Sequence, residues 1–240
     1  MSPQKQKSSR PRPPRPPAPK PPASNTPPPR RRSGTGAYIG LAIAAVVVVI
    51  AVVAVLVTRS GGGDSSAGPQ TYPVQVTGTP LPTMPEPPAA DPGIGQPAPT
   101  LTGQSLFDGT PMTITPGGGQ AQLVVFVAHW CPHCQREVPV LVQWMASGQK
   151  PADLNVVAVS TANDLSDVNS PASAWLQREH WPTPVMADSG SNAASKAYGL
   201  PSYPYLVVVG PDGTVKGRTS GELTPDELTS FVTKALNGAN

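Results

Sequence analysis

The sequence predicts an α/β domain, a mixed central sheet with helices on both faces, preceded by a disordered tail and one transmembrane helix. Three observations predict this. Short apolar runs alternate with helix-compatible stretches after residue 120, the pattern of a sheet covered by helices. One uncharged stretch, residues 37–57, is 21 residues long. The string Trp130-Cys131-Pro132-His133-Cys134 holds the only two cysteines of the chain.

The elements follow in order. Leu123–Val127 reads as a buried strand and Cys134–Ser147 as a helix, which Pro139 should kink. Asn155–Ser160 is a strand. Ser170–His180 is a helix with Pro171 near its first turn. Pro184–Ala187 is a short strand and Asn192–Tyr198 a short helix. Tyr205–Val209 and Thr214–Arg218 form a hairpin about the turn signal Asp212-Gly213. Thr224, Pro225 and Glu227 then supply an N-cap, a first-turn proline and a capping-box acid for a last helix through Leu236. Trp144, Trp175, Trp181 and His180 read as packing residues.

The cysteine pair carries the chemistry. A buried strand that delivers Cys131 to a helix N-terminus favours its thiolate, because helix-end N–H groups and the macrodipole stabilise an anion there. Cys131 is expected to be the exposed nucleophile. Cys134, one turn later and more buried, lies close enough to close a Cys131–Cys134 disulfide and release a bound partner. His133 adds an imidazole beside the thiolate, which makes the disulfide more oxidising. Two other readings stay open. A structural bridge over so short a loop would constrain little unfolded-state entropy. A metal pair would need further ligands, which His129, His133 and His180 could supply.

Charge is distributed unevenly. Nine of the 17 basic residues precede Ala37, and all 14 acids follow it. The overall +3 therefore argues for orientation in a membrane, and no nucleic-acid partner is expected. Residues 1–36 are rich in Pro, Arg, Lys and Ser and too poor in apolar side chains to bury a core. At about 1.5 Å per residue, residues 37–57 reach across a bilayer core. The run is longer than a signal-peptide core, and no A-x-A cleavage site follows. Positive-inside logic puts residues 1–36 in the cytoplasm and the C-terminal part outside the cell membrane, where disulfides persist. Residues 58–95 read as a Gly/Pro-rich linker and 96–240 as one domain.

Over residues 96–240 the chain resembles the thioredoxin superfamily. The strand before Trp-Cys-x-x-Cys, the stretch Tyr198 to Tyr205 and the hairpin Gly210-Pro211-Asp212-Gly213 carry the resemblance. It implies a thioredoxin-like fold, a cis peptide bond before Pro204 beside the thiols, and a Trp130 that shields the thiol and meets partners. The run Cys131 to Pro139 matches the CxxCxxExP pattern of membrane-anchored TlpA/ResA-type oxidoreductases. That resemblance implies a proton-handling role for Glu137. Two departures stand out. Pro132-His133 is similar to the DsbA-type dipeptide, and Val125 stands where typical thioredoxins bury an acid. The CxxCxxExP likeness implies a reductant and the Pro-His likeness an oxidant, so direction is open.

The expected function is a membrane-anchored, extracytoplasmic thiol–disulfide oxidoreductase acting on protein thiols and disulfides. A membrane redox partner would recycle it, and no cofactor is expected. The alternative is a non-catalytic metal-delivery or thioredoxin-like binding module.

Overall fold

The structure is a computed structural model that describes residues 70–87 and 89–238. The expected tail (1–36), the transmembrane helix (37–57) and the first part of the linker (58–69) lie outside the described residues. Among the described residues, no helix is long and apolar enough to cross a membrane.

The chain runs β1 (Gln75–Thr77), β2 (Thr100–Ser105), β3 (Pro111–Ile114), β4 (Ala121–Val127), α1 (Pro132–Ala146), β5 (Leu154–Ser160), α2 (Ala172–Arg178), β6 (Val185–Ala187), α3 (Ala193–Ala197), β7 (Tyr205–Val209), β8 (Val215–Ser220) and α4 (Pro225–Leu236). All strands join one sheet in the order β1-β2-β6-β5-β4-β7-β8, with β3 paired to β2. β4, β5 and β6 are parallel, β7 runs against β4, and β8 runs against β7. This is the mixed, thioredoxin-like sheet that the sequence predicts.

β4 is central and every one of its residues is buried. Leu123, Val125 and Val127 join one apolar cluster with Val138, Leu141 and Trp144 of α1 and with Trp175, Leu228 and Val232. Val124 and Phe126 face the other way, into a cluster with Tyr198 and Tyr205. A strand that alternates between two cores reads as a continuous apolar run, which is why β4 is legible. Full burial of each large side chain contributes roughly 1.5–3 kcal/mol, so the two clusters fix β4 and the start of α1 that follows it. Pro139, expected to kink α1, lies inside the helix without ending it. The expected capping box of α4 is present: Thr224 Oγ1 accepts from Glu227 N–H, and the Glu227 carboxylate accepts from Thr224 N–H.

The structure corrects the linker. Residues 70–87 and 89–95, expected to be tether, pack on the domain. β1 pairs with β2, and Leu81 is buried. Leu81 and Met84 donate their N–H groups to the carbonyls of Ala197 (2.8 Å) and Gly199 (2.9 Å). Gly199 has φ +68°, and a side chain there would collide with the Pro82 carbonyl. The strap is clamped by Arg218 of β8, whose buried guanidinium pairs with Asp91 and donates to Pro82 O (2.8 Å). The composition of this segment is that of a linker, but its prolines suit an extended strap that satisfies its few N–H groups on a neighbour.

Asp91→Ala leaves the Arg218 charge buried without its partner and is expected to cost about 3 kcal/mol. A urea-denaturation midpoint equal to that of wild type would show that the clamp contributes nothing.

Candidate active site

The two cysteines sit where β4 meets α1. Cys131 is the N-cap of α1 and Pro132 its first residue, a position where the missing proline N–H costs no helical hydrogen bond. Cys131 N–H donates to Ala128 O (3.1 Å), and Ala128 N–H donates to Cys134 Sγ (3.4 Å). Both thiols are unpaired. Cys134 is fully buried, and burial pushes its thiol pKa up, with Glu137 and Cys131 adding to the rise. Cys131, expected to be exposed, is only 6 % accessible. The difference comes from its neighbours: Trp130 and Tyr203 pack against the cluster that holds both thiols. Their rings meet edge to face at 5.8 Å, and Trp130 Nε1 donates to Ala162 O (2.9 Å).

The peptide bond before Pro204 is cis, as is that before Pro171. Among the described residues, neither the N–H nor the C=O of Tyr203 has a hydrogen-bond partner. Pro204 O accepts from Gly221 N–H (2.9 Å). The loop that follows β8 therefore touches three parts of the site. Its Gly221 holds Pro204, its Glu222 meets His133 and Arg136, and its Leu223 donates to Glu137 Oε2 (2.9 Å).

Glu137 is 1 % exposed, and its Oε1 has no hydrogen-bond partner. Burial raises its carboxyl to about 7, against the smaller opposing pull of the Leu223 N–H. A carboxyl so placed is not a solvated helix acid.

His133 does not turn to the thiol alone. Its Nδ1 lies 2.6 Å from Glu222 Oε1, so the nitrogen carries the proton and the carboxylate accepts it. Arg136 reaches both Glu222 oxygens, at 2.6 and 3.0 Å. Its 3.0 Å approach to His133 Nδ1 then sets two donors side by side. The arginine and the histidine together hold the Glu222 carboxyl down at about 2.

His129 is buried. Its Nδ1–H donates to Val168 O (2.7 Å), and its Nε2 accepts from Asp164 N–H (3.1 Å). Both ring nitrogens are taken by backbone, which removes it from any metal-ligand set. His180 sits just past α2, remote in sequence from the cysteines. The structure thus gathers Trp130, Cys131, His133, Cys134, Glu137 and Pro204. Sequence reasoning missed Glu222 and Arg136, which have no local signal: Glu222 lies 86 residues beyond Arg136. The Tyr203 side chain was also missed, although its place directly before Pro204 pointed to it.

A family model described as Redoxin matches residues 94–234. The chain belongs to the Redoxin family. The strand order of its sheet agrees with the thioredoxin-like fold that the resemblance in the sequence implied. This Redoxin is similar to a thiol:disulfide interchange protein of the thioredoxin family from Chlorobium tepidum TLS, at 25% identity over 61% of this chain and 99% of that one, TM-score 0.48. It is similar to StoA from Bacillus subtilis, at 18% identity over 58% and 98%, TM-score 0.47. It is also similar to a secreted Mycobacterium tuberculosis disulfide oxidoreductase, at 21% identity over 55% and 93%, TM-score 0.45.

The raised Glu137 carboxyl has a consequence for stability. The folded Redoxin prefers the protonated acid, so this contribution is fully present below about pH 4.5 and is lost as pH rises through about 7. Relative to Glu137→Gln, wild type should lose about 3 kcal/mol between pH 4 and 8. Denaturation curves for both proteins at the two pH values check this, and parallel behaviour would refute it.

Proposed function

We propose that this Redoxin is anchored in the cell membrane by residues 37–57 and exchanges disulfides with proteins outside it through the Cys131/Cys134 dithiol. The observation that carries the reading is the pairing of Cys131 at the N-cap of α1 with a buried Cys134 one turn inside. The run of 21 uncharged residues and the basic stretch before it support the anchor and its orientation.

The thiolate of Cys131 attacks a substrate disulfide, and the displaced substrate sulfur leaves as a thiolate that takes up a proton. Cys134 then attacks the Cys131 sulfur of the mixed disulfide and loses its own proton. The second substrate thiolate leaves and is protonated in turn. Two electrons and two protons pass to the substrate, and the protein keeps a Cys131–Cys134 disulfide. Every step is reversible, so the potential of the couple relative to its partner sets the direction. A membrane redox partner restores the starting state.

Glu137 serves the second step. It lies one helical turn beyond Cys134, its charge acts on that thiol, and its carboxyl titrates at about 7. A group poised near the working pH can take the proton from Cys134 and return it in the reverse reaction. Pro204 leaves the Tyr203 backbone free to pair with an extended substrate chain, and Trp130 with Tyr203 forms the apolar wall of that contact. The metal-delivery alternative loses support from His129, whose nitrogens are both engaged.

Cys131→Ser is expected to abolish turnover, whereas Cys134→Ser should accumulate mixed disulfides visible on non-reducing gels. Full activity in both variants would end the proposal. In intact cells a membrane-impermeant thiol reagent should label the reduced dithiol. Labelling seen only after lysis would place the domain inside instead.

A further inference from the structure

We propose that Glu222 is a positioning residue that sets the reduction potential of the Cys131/Cys134 couple by engaging the His133 imidazole N–H and the Arg136 cation, which would otherwise favour the Cys131 thiolate. The inference rests on the redox reading above and goes beyond it by naming what tunes the dithiol.

The geometry is specific. His133 is the second residue between the cysteines, and Arg136 lies on the next turn of the same helix, with its charge already acting on Cys131. Left alone, both would add positive potential at the thiolate and favour the reduced state. The structure instead gives both to one carboxylate. Glu222 takes His133 Nδ1–H on Oε1 at 2.6 Å and binds the Arg136 guanidinium with both oxygens. The carboxylate comes from outside the helix, on the loop between β8 and α4. Backbone bonds on either side fix that loop: Gly221 N–H to Pro204 O and Leu223 N–H to Glu137 Oε2. Glu222 is therefore aimed by the fold and is not a drifting surface acid.

The three side chains are partly exposed, at 60 % for His133, 56 % for Arg136 and 35 % for Glu222. Pairs in such settings contribute little to stability, so a purpose in folding does not account for them. Their effect on the neighbouring Cys131, with which the Arg136 charge interacts, survives, because screening acts over about 8 Å at physiological salt. With Glu222 in place, the Pro-His dipeptide is a weaker oxidant than its sequence suggests.

The test compares the purified full chain with Glu222→Gln, Glu222→Asp, the His133→Ala/Arg136→Ala pair and that pair combined with Glu222→Gln. Two quantities are read. One is the equilibrium constant for protein disulfide plus two glutathione thiols going to protein dithiol plus glutathione disulfide. The other is the rate at which iodoacetamide alkylates Cys131 in the reduced protein. Glu222→Gln is expected to raise the constant roughly three- to tenfold, about 15–30 mV for a two-electron couple. It should speed alkylation about threefold, less than the gain in thiolate because nucleophilicity falls with pKa. Glu222→Asp keeps the charge and should stay near wild type. In the background without His133 and Arg136, the Gln substitution should move neither quantity. Unchanged values in the single variant, or a full-sized shift in the depleted background, would overturn the role given to Glu222. A wild-type chain that never equilibrates with glutathione would instead overturn the oxidoreductase reading, and the alkylation rates would still decide the role of Glu222.

Discussion

The hydrogen bond from Leu223 N–H to the buried Glu137 carboxylate is the constraint around which the site is built. It joins the dithiol helix to the loop between β8 and α4, and that loop also holds Pro204 through Gly221. The helix that presents Cys131 and the proline loop opposite it are thus registered by a few backbone groups. The bond leaves Glu137 Oε1 unpartnered in an apolar surrounding. An unpartnered oxygen in such a place favours the neutral acid. Structural anchoring and proton affinity are consequences of one placement.

The loop divides its work by side. Leu223 donates to the buried acid of the dithiol helix, and Glu222 binds His133 and Arg136 on the exposed side of the same helix. Neighbouring residues so bear on Cys134 and on Cys131 in turn. The contrast between the thiols follows from the same frame. Cys134 is held as a thiol by burial, while Cys131 sits at the free end of α1, where unsatisfied N–H groups favour an anion.

Legibility in the sequence followed the range of the interactions. β4, β5 and β7 announced themselves as apolar runs because they are buried. The capping box of α4 was readable because Thr224, Pro225 and Glu227 act within one turn. β1, β2 and β3 were not seen. QVT, TLTGQS and PMTI are short, lack a continuous apolar run, and owe their pairing to partners elsewhere in the chain. In the site, the cysteines, Glu137 and Pro204 lie in local patterns and were named. Glu222 reaches its partners across nearly 90 residues, so no window of sequence contains the relation. The burial of Cys131 escaped for a similar reason, since Tyr203 comes from a distant loop.

The Arg218–Asp91 clamp bears on how the chain is assembled. Asp91 leaves the ribosome 127 residues ahead of its counter-ion. β1 can pair with β2 early, but the Leu81–Met84 part of the strap has nowhere to dock for most of synthesis, because its partners Ala197 and Gly199 are also made late. Contacts this far apart in sequence close slowly and after local structure. The β7–β8 hairpin therefore completes the sheet and captures the strap in one event. A nascent chain halted before Arg218 would expose both the sheet edge and the N-terminal segment to whatever chaperone or protease it meets.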